Sequence, residues 1–139
     1  MFYTNLQVRF SDCDALGHMN HASYFHLMEE ARREVFELFN PSMDIKSWNL
    51  IVGSARCDYI MQANYRDALK VASWIGRVGN SSFTVEHALQ SAAGLWVARG
   101  QAVLIHFDYT TGGALPLPAG IRRALLGHGE GPDGAPALR

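Results

Sequence analysis

One stretch of this chain has a clear helical period, and it is too apolar along one side to stand alone. Between His21 and Leu38, the residues Tyr24, Leu27, Met28, Ala31, Val35 and Leu38 recur every three or four positions and form a single stripe. Glu29, Glu30, Arg33, Glu34 and Glu37 lie largely off it, and Glu29–Arg33 has the spacing of a favourable i,i+4 pair. Asn20 is a good N-cap, and Asn40-Pro41 ends the helix. A helix buries such a stripe only against other elements. The remainder of the chain supplies strands. In Phe2 to Phe10, Leu6, Val8 and Phe10 alternate with Gln7 and Arg9. Four more strands read as Leu50–Met61, Leu69–Val78, Ser82–Ser91 and Leu95–Tyr109. Gly79-Asn80-Ser81 and Ala92-Ala93-Gly94 have tight-turn chemistry, so the strands they join should pair antiparallel. Ala98, Gly100 and Ala102 share one face of the last strand and leave room for a helix to approach. These features predict an α+β fold, a twisted antiparallel sheet wrapped around one long central helix.

At 139 residues, 48% of them hydrophobic and 18% charged, the chain suits one globular domain with a real core. The domain is expected over 1–126, with a short helix at Ala119–Leu126 and a flexible Gly/Pro-rich tail over 127–139. A net charge of −1 without a basic run speaks against nucleic-acid or membrane-surface partners. No export signal or membrane-length apolar run is visible, so a cytoplasmic protein with Cys13 and Cys57 as reduced thiols is expected.

The chemistry concentrates in Ser11-Asp12-Cys13-Asp14-Ala15-Leu16-Gly17-His18-Met19-Asn20-His21, a loop between the first strand and the helix. A helix N-terminus offers free N–H groups and a positive dipole end, which suit a developing oxyanion. If the Asn20 side chain caps the N–H of residue 22 or 23, the His21 N–H is left unclaimed. Asp12 and Asp14 are each readable as loop-capping carboxylates or as an acid–base group. Gly17 fits a turn or a close approach. His18 fits either substrate contact or loop bonding, and Asn20 fits a cap that also shapes the site. His21 and His26 are five apart, poor for one helical face, and no carboxylate or Cys completes a zinc set, so no metal is expected. His87 and His106 lie in strands and read as structural. Arg56, Arg77 and Arg99 are cationic strand residues suited to phosphates, unranked among themselves.

The order strand, Asp-x-Asp-x-x-Gly-His-x-Asn loop, long helix, four strands resembles the hotdog-fold acyl-CoA thioesterases, in particular the 4-hydroxybenzoyl-CoA thioesterase-like branch. The likeness is carried by Val8-Arg9-Phe10-Ser11-Asp12-Cys13-Asp14 and by Tyr24 with Glu29-Glu30-Ala31-Arg32, and extends more weakly through Pro118. It implies hydrolysis of coenzyme A thioesters without metal or bound cofactor. It implies Asp14 as the catalytic carboxylate, the His21 amide as donor to the thioester carbonyl, and Gly17, His18, Asn20 and Ser82 as substrate-binding or pocket-shaping residues. It also implies a homodimer or homotetramer with sites at the subunit interface. Gly17-His18-Met19-Asn20 is nearer to relatives acting on aliphatic acyl groups than to aroyl-specific ones. A non-catalytic acyl-CoA-binding or sensing protein is the alternative. A hotdog dehydratase or hydratase ranks lower, because its His-and-acid pattern is not found here.

Overall fold

The computed structural model describes residues 1–139. The chain runs β1 (Phe2–Gln7), α1 (His21–Ala31), α2 (Arg33–Phe39), β2 (Leu50–Tyr59), β3 (Ala68–Val78), β4 (Ser82–Ser91), β5 (Trp96–Asp108), β6 (Gly113–Ala114) and α3 (Ala119–Leu126). Both expected tight turns form antiparallel hairpins, β3 with β4 and β4 with β5. The sheet order is β1-β3-β4-β5-β2, with the short β6 paired to β5. β2 therefore crosses the sheet and lies beyond β5 rather than beside β3. Residues 60–67 make the return crossing past the start of α1, where Ile60 and Met61 donate to the Val97 carbonyl.

The helical stripe is buried as expected from Tyr24 to Val35, but Leu38 is only half-buried and Phe39 takes the core position at the end of α2. Tyr24, Leu27, Met28 and Ala31 pack with Leu69, Val71, Leu89, Val97 and Ala98. Val35 and Phe39 continue into a second cluster with Ile75, Phe83, Val85, Leu104 and Leu125. The small-residue stripe of β5 is what lets the helix sit so close. A Cβ added at Gly100 would land on the Met28 thioether and lie 3.4 Å from the Arg56 carbonyl oxygen. Gly100→Val is expected to cost about 1–3 kcal/mol of stability through overpacking. Urea denaturation reads this, and a loss under about 0.5 kcal/mol, the range of an ordinary surface change, would contradict the close approach.

The helix is not continuous. It breaks for one residue at Arg32 (φ −86°, ψ 0°), whose N–H turns back to the Glu29 and Glu30 carbonyls. At the break the Arg32 side chain points inward and is only 5% exposed. Its Nη1 lies 3.3 Å from His87 Nε2. The other ring nitrogen of His87 meets Ser73 Oγ at 2.8 Å. Complete burial, with Arg32 and Arg99 nearby, pushes the His87 pKa well down, so it stays neutral. The surface pairing shifts accordingly. Arg32 reaches Glu29 at 4.0 Å and Arg33 pairs with Glu37 at 3.2 Å, in place of the expected Glu29–Arg33 pair.

Residues 127–139, expected as a flexible tail, lie against the sheet face opposite α1. The Ile75 N–H donates to the His128 carbonyl at 2.8 Å. Arg99 Nε donates to the Pro136 carbonyl at 2.9 Å, and the Arg139 N–H donates to Asp58 Oδ2 at 2.6 Å. A Cβ on Gly131 would strike the Trp74 indole. The glycine that suggested flexibility is what allows the chain to pass over the ring.

Candidate active site

The first strand stops at Gln7 because Arg9 and Asp12 hold each other across a tight turn, Phe10–Asp12. Asp12 Oδ2 accepts from the Arg9 N–H at 2.8 Å and from Nε at 3.1 Å, and Oδ1 from Nη2 at 2.9 Å. The Arg9 guanidinium holds the Asp12 carboxyl below the usual carboxylate range. Asp12 is 2% exposed and fully engaged. It is the loop anchor, which sets its bonding apart from that of Asp14.

From that anchor the loop closes on itself. Cys13 bridges Met19, and His18 bridges Asn64 on the return crossing. The Asn20 N–H donates to the Asp12 carbonyl at 2.7 Å, and Met19 to the Ala63 carbonyl at 2.7 Å. Gly17 sits at the tip with φ +80°, a left-handed conformation that glycine adopts without strain. Asp14 is exposed, and only its Oδ1 is used, accepting from the Leu16 N–H at 2.9 Å. The second carboxylate oxygen has no partner in the chain.

The helix start has the expected cap. Asn20 Oδ1 accepts from the Ala22 N–H at 2.9 Å. The Ser23 N–H goes to the Asn20 carbonyl at 2.9 Å. The His21 N–H, the first of α1, has no acceptor within the chain, as expected of a helix N-terminus. Tyr59, at the end of β2, donates its hydroxyl to the His21 carbonyl at 2.9 Å and meets the Tyr24 ring edge-on at 5.0 Å. It braces the first turn of α1 from the sheet side.

These parts enclose an open cleft of about 410 Å³, lined among others by Asp14, His18, His21, Tyr59 and Met61. The structure thus brings Asp14, His18 and His21 together, with Gly17 at the loop tip and Asn20 supporting the helix start. Ser82 is not among them. It pairs with Ile105, whereas Tyr59 at the cleft pairs with Ala98, itself opposite Leu89. Seven positions along β4 are about 23 Å. Ser82 lies instead toward the end of the sheet that holds a second cavity, about 560 Å³, between the outer side of α1–α2 and the start of β2. That cavity combines Phe36, Trp48, Ile51 and Val52 with His26 and Glu30.

Other chemistry near the cleft is closed off. Burial and neighbouring Asp58 push the Cys57 thiol up to about 11, so it is no thiolate nucleophile at neutral pH. No three His, Cys, Asp or Glu side chains converge as a metal site. Arg99 is committed to Glu86 at 2.7 Å, with both side chains buried. The residue that sequence reading missed is Tyr59. Nothing in its local context marks it, because its role depends on β2 and α1 meeting in space.

The arrangement puts on one cleft two residues, Asp14 with an unpaired carboxylate oxygen and His21 whose N–H has no acceptor. That pair suits attack on an acyl carbonyl and stabilisation of the resulting oxyanion. Residues 8–125 match the model of the thioesterase-like superfamily. Over 114 residues the chain is 30% identical to YsmA, an uncharacterised protein of Bacillus subtilis, covering 82% of this chain and 78% of the relative. Its fold superposes on a predicted thioesterase of Bacillus stearothermophilus with a TM-score of 0.90 at 32% identity, covering 94% of this chain and 98% of the other. It is also similar to a Thermus thermophilus thioesterase crystallised with coenzyme A and zinc, with a TM-score of 0.79 at 30% identity, covering 89% and 96%. The carboxylate loop, the capped helix and strands β2 to β6 all fall within the matched residues, and the chain belongs to the thioesterase-like superfamily.

Proposed function

We propose that this protein hydrolyses an acyl-CoA thioester to the free acid and coenzyme A. The observation that carries this reading is the shared cleft of Asp14 and the unclaimed His21 N–H. The thioester carbonyl accepts from that amide, which meets the negative charge of the tetrahedral intermediate at the positive end of α1. Asp14 acts through its free oxygen, as general base toward water or as nucleophile giving a mixed anhydride that water then opens. Gly17 and His18 shape the substrate side of the loop, and Asn20 keeps the helix start in register. The wording Gly17-His18-Met19-Asn20 favours an aliphatic acyl group. Two free cysteines suit the cytoplasm, where coenzyme A thioesters are handled.

Two copies would complete the site by pairing along β2. This edge strand is exposed from Val52 to Arg56 and leaves one row of backbone groups unpaired. Antiparallel self-pairing over its full length sets the start of one β2 beside the end of the other. The apolar cavity of one copy, with Ser82 at that end, then meets the cleft of its partner as an acyl chamber. Light scattering should give a dimer or a multiple of it. A monomer at micromolar concentration would remove this part of the reading.

The decisive assay is release of free thiol from a panel of acyl-CoAs, read with a thiol-trapping dye. Turnover of at least one aliphatic member is expected. Tight binding across the panel with no thiol released would make the chain an acyl-CoA binder or sensor instead.

A further inference from the structure

Beside the cleft stands an aromatic pair that plays no part in the chemistry above. Phe10 is 79% exposed and Tyr65 44%. Their rings meet edge-on at 5.9 Å. The Arg66 guanidinium lies 5.1 Å from the centre of the Tyr65 ring. Most aromatic side chains in a chain this size find cover, so a phenylalanine left this open is available for contact with something outside the chain.

The patch is built, not loose. The Arg66 N–H donates to the Val8 carbonyl at 3.0 Å. Gln7 Nε2 donates to the Arg66 carbonyl at 3.2 Å. Asp67 Oδ2 accepts from the Asn64 N–H at 2.8 Å. Arg66 itself is held at φ +74°, in the left-handed region that a residue with a side chain avoids. Strain of this kind persists where surrounding bonds impose it, and it collects at ligand-binding segments. The Arg66 guanidinium has no ion pair and no hydrogen bond in the chain, so its charge faces solvent unspent. Arg9 adds a second guanidinium on the neighbouring turn, 66% exposed although paired with Asp12. The patch also adjoins the cleft, because His18, which lines it, bridges Asn64, the residue before Tyr65.

An occupant of this surface needs a flat π-system to lie on Phe10 and negative charge to meet Arg66. An acyl chain has neither, and a pantetheine arm has neither. An adenine nucleotide has both. We propose that Phe10, Tyr65 and Arg66 dock the adenine-nucleotide half of the coenzyme A thioester, the purine stacked on Phe10 and a phosphate on Arg66. This rests on the thioesterase reading for its substrate, but the platform can be tested without turnover.

The test uses the full chain with Phe10→Ala and with Arg66→Asn, asparagine being tolerated in the left-handed region. Two probes separate the halves of the substrate: an acyl-CoA, and the same acyl group on pantetheine alone. Each variant should raise KM for the acyl-CoA about tenfold, the scale of one lost stacking or charge-assisted contact, with kcat unchanged. Neither constant should move for the pantetheine thioester. Separately, adenosine 3′,5′-bisphosphate should bind the wild type by calorimetry and bind both variants at least tenfold more weakly. Equal losses on both thioesters, or no loss on either, would overturn the proposal. So would variants that change the mass in light scattering, because the patch would then be an interface between copies. If no thioester is cleaved but the bisphosphate binds and the variants weaken it, the thioesterase reading fails and the platform stands. If thioesters are cleaved and the bisphosphate does not bind, the platform fails alone.

Discussion

Asp14→Asn is expected to lower turnover of any cleaved acyl-CoA by about 10²- to 10⁴-fold, the range for removal of a positioned base or nucleophile. The fold should survive. Asp14 is exposed, and its structural duty is one hydrogen bond accepted by Oδ1 from the Leu16 N–H at 2.9 Å. An asparagine oxygen accepts the same bond, so the turn to Gly17 is retained. What disappears is the charge and basicity of the oxygen that no protein group uses. KM should change little, because the groups expected to hold the substrate remain in place. Steady-state thiol release with circular dichroism checks both halves of this expectation. A folded variant with near-normal turnover would remove Asp14 from the mechanism. Single turnover of the wild type in ¹⁸O-water then tests the nucleophilic role. Label in the Asp14 carboxylate identifies a mixed anhydride that water opens at the Asp14 carbonyl, whereas label in the product acid alone is given by a general base or by an anhydride opened at the acyl carbonyl.

The features legible in the sequence are those set by neighbours a few residues apart. The apolar stripe from Tyr24 onward, the Asn20 cap, the Gly79–Ser81 turn and the small face at Ala98, Gly100 and Ala102 all appear in the structure where expected. Their physics is local: helical period, a side-chain acceptor, a turn conformation, the absence of a Cβ. The features missed depend on where distant segments meet. At the break Arg32 turns inward to meet His87, which lies buried on β4. The placement of residues 127–139 requires Trp74, Arg99 and Asp58 to share one face of the sheet. Tyr59 braces α1 only because β2 crosses to the far side of β5. Asp12 and Asp14 form an intermediate case. Their types and spacing left both roles open to either residue, and the resemblance pointed to Asp14; what the residues could not show is that the Arg9 backbone and guanidinium saturate Asp12 while one Asp14 oxygen stays unpaired.

His21→Pro tests the other half of the site, a backbone N–H that ordinary substitutions leave untouched. Proline lacks that N–H, and the first helical position is where a helix tolerates it best. The preceding residue already suits it, since Asn20 has φ −61° and ψ 140°, the extended conformation that residues before proline adopt. The cap bond from the Ala22 N–H to Asn20 Oδ1 and the bond from Tyr59 to the His21 carbonyl do not involve the deleted group. Stability should therefore stay near that of the wild type. Turnover should fall by about 10²- to 10³-fold, or about 2.7–4 kcal/mol, the usual loss for one oxyanion donor. Proline also removes the imidazole, so His21→Ala is the necessary partner. It keeps the N–H, deletes the ring, and is expected to retain most of the activity. The ratio of kcat between the alanine and proline variants isolates the amide. If the two variants lose activity equally, the imidazole is the operative group and the backbone donor is not. If neither loses activity, the oxyanion does not form at the N-terminus of α1, and the shared cleft of Asp14 and His21 is not the site of hydrolysis.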